Sequence, residues 1–244
     1  MVSANNAINN SIGATISGVT NTLTITNPSN TSSSSARKTI TVGGSSSGDP
    51  SLNFNINGVT DFTLGIDNSD SDNFKISDSS SLGTSDSFVM TTSGIRNLPL
   101  QPAFLASHSV QQTNVTGNVT AASVNYTNVI FDQSSSYDGL NLYTAPITGN
   151  YFFSAGVTMG GFTSTAWSNT SFILFTSNRV IRLILLQSPG KCFNASGRVG
   201  LASGAFTDMD LGDTVYMQGF AGTSTKTISF VVTGLDYFGG ALIC

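Results

Sequence analysis

The sequence contains no glutamate and few charged residues of any kind. All thirteen acidic residues are aspartates, and charged residues make up only 9% of the chain. An average domain has about a quarter. Glutamate favours helices, whereas the abundant Asp, Asn, Gly and Ser favour turns. Because Thr, Val, Ile and Phe supply strand preference, the composition predicts an all-β protein.

The chain also has few histidines, cysteines and basic residues, which zinc sites, disulfide scaffolds and nucleic-acid interfaces require. Its one histidine, His108, would have to serve any Ser–His–Asp triad, and no nucleophile motif lies beside it. The two cysteines, Cys192 and Cys244, could form one disulfide, but free thiols in a reducing compartment are the simpler expectation. Nine basic residues are spread thinly over a chain of net charge −4, so we expect no nucleic-acid partner.

Long hydrophobic runs are absent from the sequence. The longest run, VIRLILL at 180–186, has an arginine inside and is far shorter than the roughly 20 residues that span a bilayer. The first residues, MVSANNAINN, lack the charged and then apolar pattern of a signal peptide. We therefore expect a soluble protein that is made without secretory export and does not insert into membranes.

Residues 1–95 consist of short runs in which apolar and polar residues alternate. Each run predicts a strand with one apolar face, as with Leu52, Phe54 and Ile56. Such strands bury too little in a lone chain to offset an ordering entropy of about 1–2 kcal/mol per residue. We therefore predict an intertwined trimeric β-shaft, with a disordered Ser-rich linker as the alternative for 29–36 and 44–49. The runs lie at 22–26, 38–42, 52–56, 61–66, 73–77 and 87–91.

Part of this half resembles a known kind of viral segment. The stretch FTLGIDNSDSDNFKIS, followed by LGTSDSFVMTTSG, is similar to a segment common in tail-fibre and related appendage proteins of bacterial viruses. The similarity covers roughly residues 52–94. It implies a virion appendage, whose N-terminus would dock on a baseplate, tail or capsid protein.

The second half, 99–244, has longer and more apolar runs, which suit one β-sandwich. In NLYTAPITGNYFFSAGV, Pro146 ends a strand and Gly149 is expected to take positive φ in a tight turn. Alternation then sends Tyr151 and Phe153 into the core and Phe152 toward a neighbouring subunit. We predict Tyr151, Phe153, Pro146 and Gly149 as structural core. The expected strands lie near 101–108, 124–132, 139–145, 150–159, 170–176, 179–187, 197–206, 213–220 and 228–243.

Five landmarks run in order along this half of the chain. They are PAFLA (102–106), VIFDQ (129–133), YTAPITGNYFFS (143–154), LGDTVYMQ (211–218) and DYFGGALI (236–243). Together they resemble the globular head of the complement q-component, in the tumour-necrosis-factor-like jelly-roll superfamily. No clear landmark appears between 160 and 205, and there is no collagen-like stalk. The resemblance implies a ten-strand jelly roll that forms compact homotrimers, binds ligands through loops and grooves, and does no chemistry.

Two groups of aspartates invite a chemical interpretation. The stretch DNSDSD makes Asp67, Asp70 and Asp72 weak candidates for a calcium site. However, the EF-hand pattern needs glycine at the position of Asp72, and a solvated turn is favoured. Paired carboxylates among Asp208, Asp210 and Asp213 could suit a glycosidase, but the resemblance argues against catalysis. We expect no cofactor other than a possible calcium ion.

The sequence thus predicts a shaft at 1–95 and a head at 99–244 in a homotrimeric viral fibre, most simply that of a bacteriophage. The protein would be made in the host cytoplasm and exposed on the virion. The head would bind a host-surface glycan or protein through loops far from the shaft, which we place at 109–122, 145–149, 176–179 and 221–227. Arg179 and Lys226 are the only cations in these loops, so we expect any glycan ligand to be acidic. The alternatives are a purely structural fibre or decoration protein and, less favoured, a polysaccharide depolymerase. The predicted contact residues are Asn178, Arg179, Thr223, Ser224, Thr225 and Lys226.

Overall fold

The computed structural model describes residues 25–162, 169–187, 192–222 and 225–243. Every helix or strand assigned within these ranges is a β-strand, and the strands form three antiparallel sheets. Within the described part of the chain, no helix has the length and hydropathy needed to cross a membrane. The prediction of an all-β protein is confirmed.

The first sheet is a five-stranded meander in which each strand pairs with the next along the chain. Four of the predicted runs form its first four strands. The predicted strand at 38–42 is absent, because no strand of the described chain lies beside it to share a hydrogen-bond ladder. The run at 22–26 lies mostly outside the described residues. The strands are β1 (Ser51–Ile56), β2 (Thr60–Asp67), β3 (Asn73–Ser77), β4 (Asp86–Met90) and β5 (Arg96–Asn97).

Twelve further strands follow, several of them only two or three residues long, where the resemblance implied ten. The run predicted at 228–243 is divided into two strands, because the chain turns at Gly234, whose φ is 76°. The strands are β6 (Ala103–Ser107), β7 (Gln112–Thr116), β8 (Ala122–Ser123), β9 (Asn128–Asp132), β10 (Tyr143–Thr144), β11 (Gly149–Gly160), β12 (Asn169–Thr176), β13 (Val180–Gln187), β14 (Arg198–Met209), β15 (Thr214–Gly222), β16 (Ile228–Phe230) and β17 (Tyr237–Leu242).

These strands form two sheets with a jelly-roll connectivity. The last strand, β17, returns to lie between β6 and β11, and β11 also pairs with β14 along its whole length. In the other sheet, β15 lies between β10 and β12, and β13 forms the edge. Strands that are distant in sequence therefore become neighbours, which is typical of a jelly roll.

Aromatic rings fill the space between the two sheets. Tyr151 and Phe153 are fully buried, and their ring centroids lie 5.8 Å apart. Phe104 stacks on Tyr143 at 4.6 Å and meets Phe238 edge-on at 4.9 Å. Burial of side chains of this size contributes roughly 1.5–3 kcal/mol each, so this cluster is the packing centre of the head.

The turn before β11 differs from the expectation. Pro146 and Gly149 are half-buried rather than part of the core. Gly149 does not have positive φ. It is already the first residue of β11 and pairs with Met209, and sheet pairing requires an extended backbone. The hydroxyl of Tyr151 closes the turn by donating to the Ile147 carbonyl at 2.8 Å.

Candidate functional site

The loops predicted to lie together far from the first sheet are divided between the two ends of the head. The chain enters the head at β6, and Ala103 at its start pairs with Ala241. Tyr151 pairs with Leu242, so the turn at 145–149 lies at this same entry end. The prediction for this turn was therefore wrong, because β11 starts where β6 starts and the two strands run in the same direction.

The turn that contains Asn178 and Arg179 also lies at the entry end. Thr176, the last residue of β12, pairs with Val215 near the start of β15. Asp213 accepts hydrogen bonds from the Asp210 amide at 2.9 Å, from the Ser177 hydroxyl at 2.7 Å and from the Asn178 side chain. These donors lower the pKa of Asp213, the Asp210 amide most strongly.

Two of the three aspartates that invited a glycosidase interpretation, Asp208 and Asp213, have structural partners. Arg179 lies 2.8 Å from the carboxylate of Asp208 in an exposed ion pair. Asp213 accepts the hydrogen bonds that fix the neighbouring turns. Arg179 is therefore not a free cation for a ligand, and both carboxylates hold together the entry end of the head.

Two other predicted contact residues, Thr225 and Lys226, are exposed at the opposite end of the head. Thr223 and Ser224 lie outside the described residues. Gly117, with φ of +124°, allows the loop after β7 to pack here, since a Cβ on it would lie 2.3 Å from the Thr225 carbonyl. The predicted set thus does not form one continuous surface.

Two aspartates of DNSDSD, Asp67 and Asp70, form ion pairs with a lysine of the next strand. The Lys75 ammonium lies 2.8 Å from Asp67, 2.7 Å from Asp70 and 3.0 Å from Asp86. Its hydrogen bond is the main reason that the pKa of Asp67 is lowered. Asp72 is exposed and is not part of this cluster. Two of the three positions suggested for calcium, Asp67 and Asp70, thus pair with an internal cation, and the described residues contain no group of three metal-ligating side chains.

The ion-pair cluster lies on the polar face of the first sheet, and this face is the buried one. Thr63, Lys75 and Ser77 are all buried. The segment 78–85 covers them, with the Ser79 carbonyl accepting from the Thr63 hydroxyl at 2.8 Å and Leu82 packed inward. The chain itself therefore covers the polar face of this sheet over β2 and β3.

The opposite face of the first sheet is apolar and has no comparable cover. Cross-strand pairs such as Phe54 with Phe62 and Ile76 with Phe88 place these side chains side by side. None of them is buried, and Phe54 is 56% exposed. We call this surface the apolar face; it consists of Leu52, Phe54, Ile56, Phe62, Leu64, Ile66, Phe74, Ile76, Phe88 and Met90.

A second apolar surface lies on the outer side of the seven-stranded sheet. Phe152 packs beside Phe206 at 4.9 Å, and Phe206 is 69% exposed. Gly204 leaves room for the Phe152 ring, because a Cβ there would lie 2.7 Å from it. Leu105 and Phe131 pair on the same side of the sheet. We call this surface the Phe152 face.

A groove on the outer side of the five-stranded sheet was not anticipated. It encloses about 530 Å³ between β12, β13 and β15. A sequence signal for it existed, because an arginine within the apolar run VIRLILL must reach solvent from a half-buried strand. We call it the Arg182 groove; it is lined by Asn169, Ser171, Ile173, Arg182, Leu185, Gln187 and Phe220.

Comparison with known proteins gives similarity in structure only. No protein-family model matches the chain, and no curated protein matches its sequence. The globular domain of a zebrafish complement 1qA protein is 18% identical with a TM-score of 0.40, and the match covers 59% of this chain and 98% of that one. Murine APRIL at pH 8.0 is 10% identical with a TM-score of 0.41, covering 59% and 99%. The jelly-roll assignment itself rests on the strand pairings of this chain.

Proposed function

We propose that this protein is a homotrimeric fibre or tail-appendage protein of a virus, most simply a bacteriophage, and that its head attaches the particle to a host surface. One observation carries the proposal, namely the apolar face of the first sheet. Ten apolar side chains lie on it and none is buried. A continuous exposed patch of ten apolar side chains is typical of an interaction site.

Self-association is the simplest way to cover this face. The segment 78–85 covers the other side of the sheet over β2 and β3, and no described residues cover the apolar side in the same way. A further chain packed against the apolar side would complete the core. Three copies around an axis would bring three such faces together as a central core. The Phe152 face would add a second contact between the heads, because its small residues and paired phenylalanines suit close packing of a flat surface.

The viral part of the proposal is supported by the sequence segment that resembles those of phage appendages. This segment covers β2, β3 and β4, the strands that carry most of the apolar face. Residues 1–24, which would dock on a baseplate, tail or capsid protein, lie outside the described residues. The head would then be the part that meets a host-surface glycan or protein.

The test is adsorption of virus particles to host cells. Particles whose protein ends after residue 98 are compared with intact particles, and labelling with an antibody against the first sheet checks that the shortened chain is still incorporated. We expect loss of adsorption. Normal adsorption by headless particles would instead assign a purely structural role, and cleavage of host polysaccharide by the purified trimer would indicate a depolymerase.

A further inference from the structure

We propose that the Arg182 groove binds an acidic saccharide through the carboxylate of a sugar acid. The biological role of this site rests on the proposed attachment function, whereas the binding itself can be measured on the isolated protein. This site replaces the expectation that Arg179 and Lys226 contact one acidic glycan, because these two residues lie at opposite ends of the head.

Strand register places the lining residues on one face of the sheet. Ser171 in β12 forms the floor and pairs with Leu185 on one side and with Phe220 on the other. Paired side chains on one face stand about 4.5–5.5 Å apart at their Cβ atoms, so Leu185 and Phe220 form two walls. Ser171 is only 2% exposed, as expected for the floor of a groove.

Polar groups lie at both ends of the floor. Arg182 pairs with Ile173, and Gln187 pairs with Asn169. Asn169 and Ile173 are four residues apart in β12, which is about 13 Å along a strand. The volume of about 530 Å³ falls within the usual range for small-molecule sites. The groove therefore suits an elongated ligand with a charged group at one end, such as a short oligosaccharide.

Arg182 is available for an anion. It is exposed, and no carboxylate of the described residues forms an ion pair with it. Arg179, three residues earlier, is instead paired with Asp208. A guanidinium group binds a carboxylate with two parallel hydrogen bonds, and no acidic residue lines this groove to compete.

The other lining groups favour a sugar over an acidic peptide. The amides of Asn169 and Gln187 can each donate to and accept from hydroxyl groups. The half-buried ring of Phe220 offers an apolar surface for the C–H face of a pyranose. The groove lies on the five-stranded sheet, on the opposite side of the sandwich from the Phe152 face. Contacts between heads through the Phe152 face would therefore leave the groove accessible to a ligand.

The decisive experiment is a calorimetric titration of the full-length protein with a panel of uronic-acid oligosaccharides, each beside its methyl ester. The two members of a pair differ only in carboxylate charge. We expect binding of at least one acid and about tenfold or more weaker binding of its ester, the scale of a lost charged hydrogen bond. Arg182→Gln should abolish this preference, and Phe220→Leu should weaken both members. Arg198→Gln, an exposed arginine outside the groove, is the matched control.

Several results would overturn the site. They are equal binding of acid and ester, unchanged binding by Arg182→Gln, no binding across the panel, or binding only of an aspartate-rich peptide. Adsorption of virus particles distinguishes failure of the saccharide site from failure of the attachment function. If headless particles fail to adsorb but Arg182→Gln particles adsorb normally, attachment stands and the groove is not the receptor site. If headless particles adsorb normally, attachment fails, and the titration alone decides whether the groove binds sugar.

Discussion

Phe152 and Phe153 are neighbours in β11 and face opposite sides of the same sheet. Phe153 is fully buried among the aromatic rings of the core, whereas Phe152 is half-buried on the outer face beside Phe206. Alternation along a strand decides which ring packs inside the head and which lies on its outer face.

The two rings should respond differently to truncation. Phe153→Ala should lower the free energy of unfolding of the head by about 3–5 kcal/mol, because it leaves a cavity in a packed core. Phe152→Ala should leave the head folded and weaken association between chains. Chemical denaturation and native mass spectrometry measure the two effects. Equal effects of both substitutions on unfolding alone would contradict this placement of β11.

Lys75 should be essential to the first sheet because its ammonium neutralises a buried carboxylate. The side chains of Lys75 and Asp67 are only 5% and 3% exposed. Lys75→Met would leave Asp67 buried and unpaired, at a cost of about 3–5 kcal/mol. Amide hydrogen exchange in β2 and β3 should speed up, and adding Asp67→Asn should restore part of the protection. Lys226→Met, on an exposed loop, is the control.

The stability of the head should depend on pH through His108. Burial lowers the pKa of His108 below its ordinary 6.5, against a smaller raising effect of Asp236. Below pH 6.5 the unfolded chain therefore takes up a proton that the folded head resists, and stability falls as pH falls. The pKa of Asp67 lies below 3.8, so this carboxylate does not titrate in the same window. His108→Phe should flatten the change in Tm between pH 7 and pH 5; an unchanged slope would rule out this histidine as the cause.

At the scale of strands, the first sheet reverses the usual arrangement of polar and apolar faces. Its alternating pattern places apolar residues on one side, as expected. However, the segment 78–85 folds over the polar side, where Lys75 and Asp67 are buried. The apolar face is thereby left uncovered by the described residues, and we propose that other chains pack against it.

Substitutions on the apolar face should act on assembly. Phe54→Ser and Phe74→Ser should each weaken the trimer and leave the head folded, because both side chains lie on this face and neither is part of the head. Asn55→Ser changes an exposed residue on the opposite face and is the control. Native mass spectrometry at several concentrations gives the result, and an unchanged trimer in both phenylalanine variants would contradict the proposed packing.

At the scale of the whole molecule, the proposal requires that folding and assembly are coupled. The first sheet has few buried apolar residues of its own, so we expect a mass of three chains in native buffer and a Tm that rises with protein concentration. A stable monomer with intact β-structure and a concentration-independent Tm would exclude the trimeric shaft.

Strand direction decides what each end of the molecule presents. Because β11 and β6 start at the same end, the turn at 145–149 and the turn holding Arg179 lie where the chain enters the head. Lys226 lies at the other end. The Arg182 groove lies on the side of the sandwich. It brings Arg182, Gln187 and Phe220 together on one surface, whereas the predicted loop residues are divided between the two ends.

The sequence by itself determined the all-β class, most strand positions and the alternation that separates Tyr151 and Phe153 from Phe152. These features depend on strand propensity and on the two-residue alternation of side chains along a strand. Both are local properties that neighbouring residues determine. Only the tertiary structure decided that Lys75 pairs with Asp67 and Asp70, that Arg179 pairs with Asp208, and that Arg182 and Phe220 line one groove. The last two arrangements depend on which strands become neighbours along the path of the jelly roll, and that path is set by the packing of whole sheets.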